Sequence, residues 1–107
     1  ELDLCQFDDF EKIQLVVAKV LKCEKVPKAD KLLVFQVKIG KETRQIISGV
    51  AEHFKPEDCV GKKVLVVANL KPRKLRGLES HGMLMFADNG DRMEFMTTIA
   101  RDGEVVC

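Results

Sequence analysis

This sequence predicts an all-β domain, a small five-stranded barrel with one short helix between its third and fourth strands. Three observations carry the expectation. Apolar and polar residues alternate with period two through most of the chain, Gly and Pro break that alternation at short intervals, and one stretch between strands carries helix start and stop signals in the right order. Residues 1–12 are acidic and contain Phe7-Asp8-Asp9-Phe10-Glu11; Asp8 or Asp9 is expected to cap a single helical turn that Phe7 and Phe10 anchor into the body. Residues 13–26 are strand formers, with Val16, Ala18 and Val20 on one side and Ile13, Leu15 and Val17 on the other, and a bend is expected near Lys22, where the alternation breaks. Residues 26–30 read as a loop. Strand two, residues 32–39, turns Leu33, Phe35, Val37 and Ile39 inward, and Gly40-Lys41 then reads as a two-residue type II′ turn. Strand three, residues 42–50, places Arg44, Ile46 and Ser48 on one face, partly wet because two of the three are polar. Pro56 at a first helical position, Glu57 and Asp58 in the first turn and Gly61 beyond the end mark the short helix. Strand four, residues 63–68, and strand five, residues 83–87, flank a loop that carries Lys71, Arg73, Lys74 and Arg76, stiffened by Pro72 and closed by Gly77 and Ser80-His81-Gly82. Five strands with a short helix between the third and fourth is the OB-fold plan.

At 107 residues the chain is expected to form one domain, residues 1–107. The net charge of +1 conceals a segregation of charge. Residues 13–87 hold 15 Lys and Arg against 7 Asp and Glu, whereas residues 1–12 and 88–107 are both net acidic. A basic body between acidic ends implies one surface for an anionic partner and another for something else. Cys5, Cys23, Cys59 and Cys107 have no CxxC spacing, and His53 and His81 stand far apart, so no metal site is expected; the thiols are read as reduced, in a cytoplasmic setting. No apolar run approaches a membrane span, and a chain that opens on Glu1 rather than Met is read as a piece of a longer polypeptide. The sequence offers neither a nucleophile–base–orienter set nor a Gly-rich phosphate loop, so this domain alone is expected to be non-catalytic, with no cofactor and no small-molecule substrate. With no Trp or Tyr, and six Phe mostly at core positions, it is poorly equipped to stack splayed bases. Lys, Arg, Ser and Asn remain for phosphate and ribose contacts, which suit a folded RNA surface.

Six fragments in order carry a more specific reading: Phe10-Glu11-Lys12, Ala29-Asp30-Lys31-Leu32, Arg44-Gln45-Ile46-Ile47-Ser48-Gly49-Val50, Val60-Gly61-Lys62-Lys63-Val64, Asn69-Leu70-Lys71-Pro72 through Arg76-Gly77, and Ser80-His81-Gly82-Met83. Together they closely resemble the tRNA-binding domain that occurs free-standing, fused to the C-terminus of methionyl-tRNA synthetases, or in synthetase-associated cofactors. The resemblance implies a non-catalytic module that binds the outer corner of tRNA by shape and works as a symmetric homodimer through segments flanking the barrel. The fused form, a C-terminal appendix of a methionine–tRNA ligase that raises tRNA affinity, suits a chain opening without Met. It implies a binding face at Lys31, Arg44, Ser48, Asn69, Lys71, Lys74, Arg76, Ser80 and Met83. Residues 1–12 and 92–107 are the expected dimer segments; the latter keeps Met93, Phe95, Met96, Ile99, Val105 and Val106, more apolar groups than a tail lying on its own barrel needs. A competing expectation is a chaperone-like, protein-binding dimer of the same superfamily. The chain departs from the family pattern at Val16, where an Arg is common, and at Lys28, where an Asn is common.

Overall fold

The structure, a computed structural model, describes residues 3–107. Its backbone is β1 (Leu15–Val26), a 12-residue strand rich in Val. Through residues 15–19 it pairs antiparallel with β4 (Lys63–Val67), and from Lys19 to Val26 with β2 (Ala29–Ile39). A register shift between Val20 and Lys22 bends the strand, as the broken alternation predicts, and lets it serve both neighbours. β2 turns through Gly40, at φ 61, into β3 (Glu42–Ser48), with Ile39 opposite Glu42 as a two-residue hairpin requires. The helix α2 (Pro56–Cys59) follows, with Pro56 in its first turn. β4 then pairs with β7 (Met83–Leu84), completing the order β3-β2-β1-β4-β7.

Inside lie Val16, Ala18 and Val20 of β1, Leu33, Phe35 and Val37 of β2, Ile46 of β3, Val64 and Val66 of β4, and Leu84 of β7, all buried. Phe54, Phe86 and Phe95 close one end of the barrel, with Phe95 edge-on to Phe35 at 6.4 Å and 4.5 Å from Phe54 between ring centroids. The predicted fold class, an OB-like barrel with a helix between strands three and four, is the one observed.

Several elements differ from expectation. The basic loop is a β-hairpin, β5 (Arg73–Leu75) and β6 (Leu78–Ser80). Strand five divides at Met85: β7 stays on β4, while β8 (Phe86–Asp88) peels away to pair with β9 (Met93–Phe95). β2 begins at Ala29, leaving Pro27-Lys28 as a tight turn rather than a loop. Ile46 is fully buried although Arg44 and Ser48 are only half-buried, so the face of β3 is split rather than wet throughout. In the tail, Met93 and Phe95 pack on the core, and β10 (Val105–Val106) adds to β1 opposite Leu15 and Val16. The first helix, α1 (Phe7–Glu11), forms without a side-chain cap from Asp8 or Asp9 and buries none of its residues. Phe7 and Phe10 pair with each other at 6.4 Å and stay exposed instead of anchoring the turn into the body. Glu1 and Leu2, part of the expected flanking segment, lie outside the described residues.

The barrel closes where the β6–β7 junction meets β3. The His81 N–H donates to the Gln45 carbonyl (2.8 Å), the Ile47 N–H donates to Ser80 Oγ (3.0 Å), and Gln45 Nε2 donates to the Glu79 carbonyl (2.9 Å). Gly82 makes the crossing possible. Its φ is 134, and a β-carbon there would sit 3.0 Å from the Val67 carbonyl oxygen and 3.3 Å from Val66 Cγ1. Cys23 of β1 and Cys59 of α2 are buried as free thiols, and burial, reinforced by Cys59, pushes the Cys23 thiol from the ordinary 9.0 up to about 12.

Two outcomes follow from this packing. Gly82→Ala should lower stability by roughly 2–4 kcal/mol, from backbone strain and overpacking together, read as a shift in the urea midpoint. Because the folded state holds Cys23 protonated and the unfolded state does not, the stability it contributes is present below about pH 9 and is lost as pH rises from about 9 toward about 12. A denaturation series over that range should show a steeper decline for the native chain than for Cys23→Val.

Candidate nucleic-acid interface

The β5–β6 hairpin stands out from the barrel mouth, and two concavities flank it. The first lies between its tip and the β1–β2 turn and measures about 650 Å³; Lys28 and Lys31 come from the turn side, Lys74 and Arg76 from the hairpin, with Asp30 the one carboxylate among its lining residues. The second, about 390 Å³, lies between the hairpin and the closure site and takes Lys71, Arg73 and Met83 over Ile47 and Gly82. Leu75 lines both, so the hairpin is their common wall.

The electrostatics separate the cations into two groups. Arg44 is engaged: its Nε lies 2.8 Å from Glu42 Oε1, its Nη1 donates to the Ala68 carbonyl, and it holds the Glu42 carboxyl below the ordinary carboxylate range, chiefly by hydrogen bonding and then by its charge. His81 Nε2 is likewise 2.7 Å from Glu79 Oε1. By contrast, none of Lys28, Lys31, Lys71, Arg73, Lys74 or Arg76 has a carboxylate within ion-pair distance among the described residues. Glu79 lies opposite Lys74 across the hairpin, but its carboxylate is turned to His81.

Of the nine residues the resemblance implies, the first concavity gathers Lys31, Lys74 and Arg76, and the second gathers Lys71, Met83 and Ser80. Met83 is half-exposed, consistent with a contact role. Ser80 is buried, and its hydroxyl accepts from Ile47 and donates to the Gly82 carbonyl (3.3 Å), which occupies it in barrel closure. Asn69 accepts from the Gln14 N–H (2.9 Å) and donates to the Lys12 carbonyl, pinning the N-terminal arm to the end of β4. Arg44 lines a third hollow with Gln36, Gln45 and His81, and Ser48 lines none of the three. The implied binding face leaves out Lys28 and Arg73, which also line these concavities. Arg73 stood in the same cationic run, and the Pro27-Lys28 pair, read as a two-residue turn, would have placed Lys28 beside Lys31.

Among the described residues no helix is long and apolar enough to cross a membrane, and no group of His, Cys, Asp and Glu is placed to hold a metal.

The family described as "Putative tRNA binding domain" matches residues 15–106. Methionine–tRNA ligase of Bacteroides fragilis is 57% identical over 86 residues, 80% of this chain and 13% of that protein, and the Thermotoga maritima enzyme is 50% identical over 105 residues, 98% of this chain and 16% of that protein. The chain thus spans about one-seventh of the length of these curated relatives. Among solved structures, a MetRS related protein from Pyrococcus horikoshii superposes with TM-score 0.93 at 37% identity, covering 99% of this chain and all of that one. The chaperone CsaA of Bacillus anthracis superposes with TM-score 0.87 over 98% of this chain and all of that one; at 17% identity it shows the shared fold alone. A basic hairpin on an OB-like barrel, together with a family match spanning nearly the whole chain, shows that this chain belongs to the tRNA-binding domain family.

Proposed function

We propose that this chain is a structure-specific, non-catalytic tRNA-binding module that serves as the C-terminal appendix of a methionine–tRNA ligase in the cytoplasm, where it raises the tRNA affinity of the catalytic body and pairs two copies of it. The observation that carries the reading is the set of six cations around the β5–β6 hairpin without carboxylate partners. Unneutralised Lys and Arg on rigid elements attract a polyanion and contact its phosphates without reading bases. The aromatic inventory supports a folded target: Phe35, Phe54, Phe86 and Phe95 are committed to the barrel end, far from service as stacking platforms. Lys31, Lys71, Arg73, Lys74, Arg76 and Met83 form the contact set, while Arg44, Asn69 and Ser80 hold the elements that present it.

Dimerisation is supported by apolar side chains in both flanks. Leu4, Phe7, Phe10 and Ile13 are exposed in the N-terminal arm, as are Met96, Ile99 and Val105 in the tail, with Ile99 fully exposed. Groups of this kind favour burial against a second copy, and the acidity of both flanks keeps that surface separate from the RNA.

With about four to six phosphates engaged, the logarithm of the association constant for tRNA should fall with log salt at a slope of roughly −3 to −5. Replacing Lys71 and Lys74 together with Ala should weaken binding to all tRNAs alike and flatten the slope by about 2, with the thermal midpoint unchanged. A mobility-shift titration against total tRNA and a single-stranded oligonucleotide decides it; equal affinity for the oligonucleotide, or binding indifferent to salt as a peptide ligand would give, overturns the reading. For assembly, Phe7→Asp with Ile99→Asp should yield monomers by sedimentation at tens of micromolar, where the native chain is dimeric. Point substitution suits this test better than truncation, because Phe95 belongs to the core.

A further inference from the structure

Among the described residues, two that are not glycine adopt left-handed backbone: Lys28 at φ 63 and Arg76 at φ 51. A β-carbon crowds its own carbonyl there, so Gly, and after it Asn, ordinarily fill such positions. Each turn has an obvious better sequence. Pro27 precedes Lys28, and a turn with Pro first and positive φ second favours Gly in the second place. Arg76 precedes Gly77 at φ 81, and a hairpin turn with two positive φ values favours Asn-Gly. The chain carries a cation at both places instead.

These two residues, remote in sequence, line the same concavity. Lys28 stands on the β1–β2 turn and Arg76 at the tip of the β5–β6 hairpin, so they occupy opposite walls; both are exposed, and neither has an ion-pair partner among the described residues. Two-residue turns root each side chain on backbone fixed by the flanking strand pairs, Val26 with Ala29 and Leu75 with Leu78. Strain retained at two positions, both cationic and both facing one groove, points from backbone outlier to function.

We propose that Lys28 and Arg76 are the opposed jaws of a phosphodiester clamp, which grips a short stretch of RNA backbone between the β1–β2 turn and the β5–β6 hairpin while Lys31 and Lys74 line its floor. The inference rests on the tRNA-binding reading and adds Lys28 to it as a binding residue. Contacts of this type fix the register of the RNA on the barrel without reading its sequence.

The clamp has an unusual signature, because its removal strengthens the fold. Lys28→Gly and Arg76→Asn should each raise the thermal midpoint, by about 2–6 °C, as the strain is relieved. Each should also lower tRNA affinity about three- to tenfold and flatten the salt slope by about 1. Lys28→Arg and Arg76→Lys, which keep charge and backbone, should match the native chain in midpoint and slope. A stabilised variant with unchanged affinity and slope would assign the strain to the turns alone and reject the clamp, and a destabilised variant would reject the strain itself. If Lys71→Ala with Lys74→Ala weakens tRNA binding while Lys28→Gly and Arg76→Asn do not, the clamp falls and the tRNA reading stands. Failure of the native chain to bind tRNA removes both.

Discussion

The arrangement of this molecule depends on the closure of its barrel at the β6–β7 junction. An open sheet in the order β3-β2-β1-β4-β7 leaves β3 and β7 as free edges. Joining them requires the chain to pass within contact distance of β3 and β4 at once, and Gly82 allows that because it brings no β-carbon to the crossing. Ser80 then supplies what a two-residue β7 is too short to give, a hydroxyl for the Ile47 N–H. The hairpin that carries the cations is thus anchored at the end where β6 meets β3, and is free at its tip. A cationic element built this way has its charges held in place by the fold, which would reduce the ordering cost of association with a polyanion.

Around that hairpin, charge is sorted by function. Carboxylates near the closure are spent locally: Glu42 on Arg44 and Glu79 on His81. Both pairs are partly exposed, so each contributes little to stability. Their larger effect is on what remains outside. Because Glu79 faces His81, the Lys74 opposite it keeps its charge available, and because Glu42 neutralises Arg44, the hollow under β3 is polar rather than cationic. The two sides of the hairpin are thereby left with six cations that no carboxylate engages among the described residues.

Much of this was legible in the sequence where one physical signal dominated. Period-two alternation gave Leu33, Phe35 and Val37 as core, Gly40-Lys41 gave the hairpin, and the Pro56-Glu57-Asp58 start gave the helix. The failures share a cause. The β5–β6 hairpin reads as a loop in the sequence because its turn is Arg-Gly instead of Asn-Gly, so local propensity conceals it. Phe7 and Phe10 read as anchors into the body because hydrophobicity alone cannot tell a self-core contact from an exposed one. Ser80 and Asn69 carry side chains equally suited to RNA and to backbone, and their long-range backbone partners, Ile47 and Gln14, are contacts that no local pattern reveals.

The split of strand five has a consequence for the two ends of the barrel. Once β8 leaves β4 at Met85 and pairs with β9, Phe86 and Phe95 face each other at 5.1 Å, and with Phe54 they seal that end of the barrel. The tail is therefore double in character. Its first part, with Met93 and Phe95, completes the core, and its later part returns as β10 on the open edge of β1, where the Gly103 N–H donates to the Val17 carbonyl (2.7 Å). That return needs Gly103, because a β-carbon there would lie 3.0 Å from the Gly40 α-carbon in the β2–β3 turn. By covering β1, the tail removes a free strand edge and fixes the place from which Ile99 and Val105 project. Exposed apolar groups on a pinned tail differ in kind from a frayed end, since they present a shaped surface.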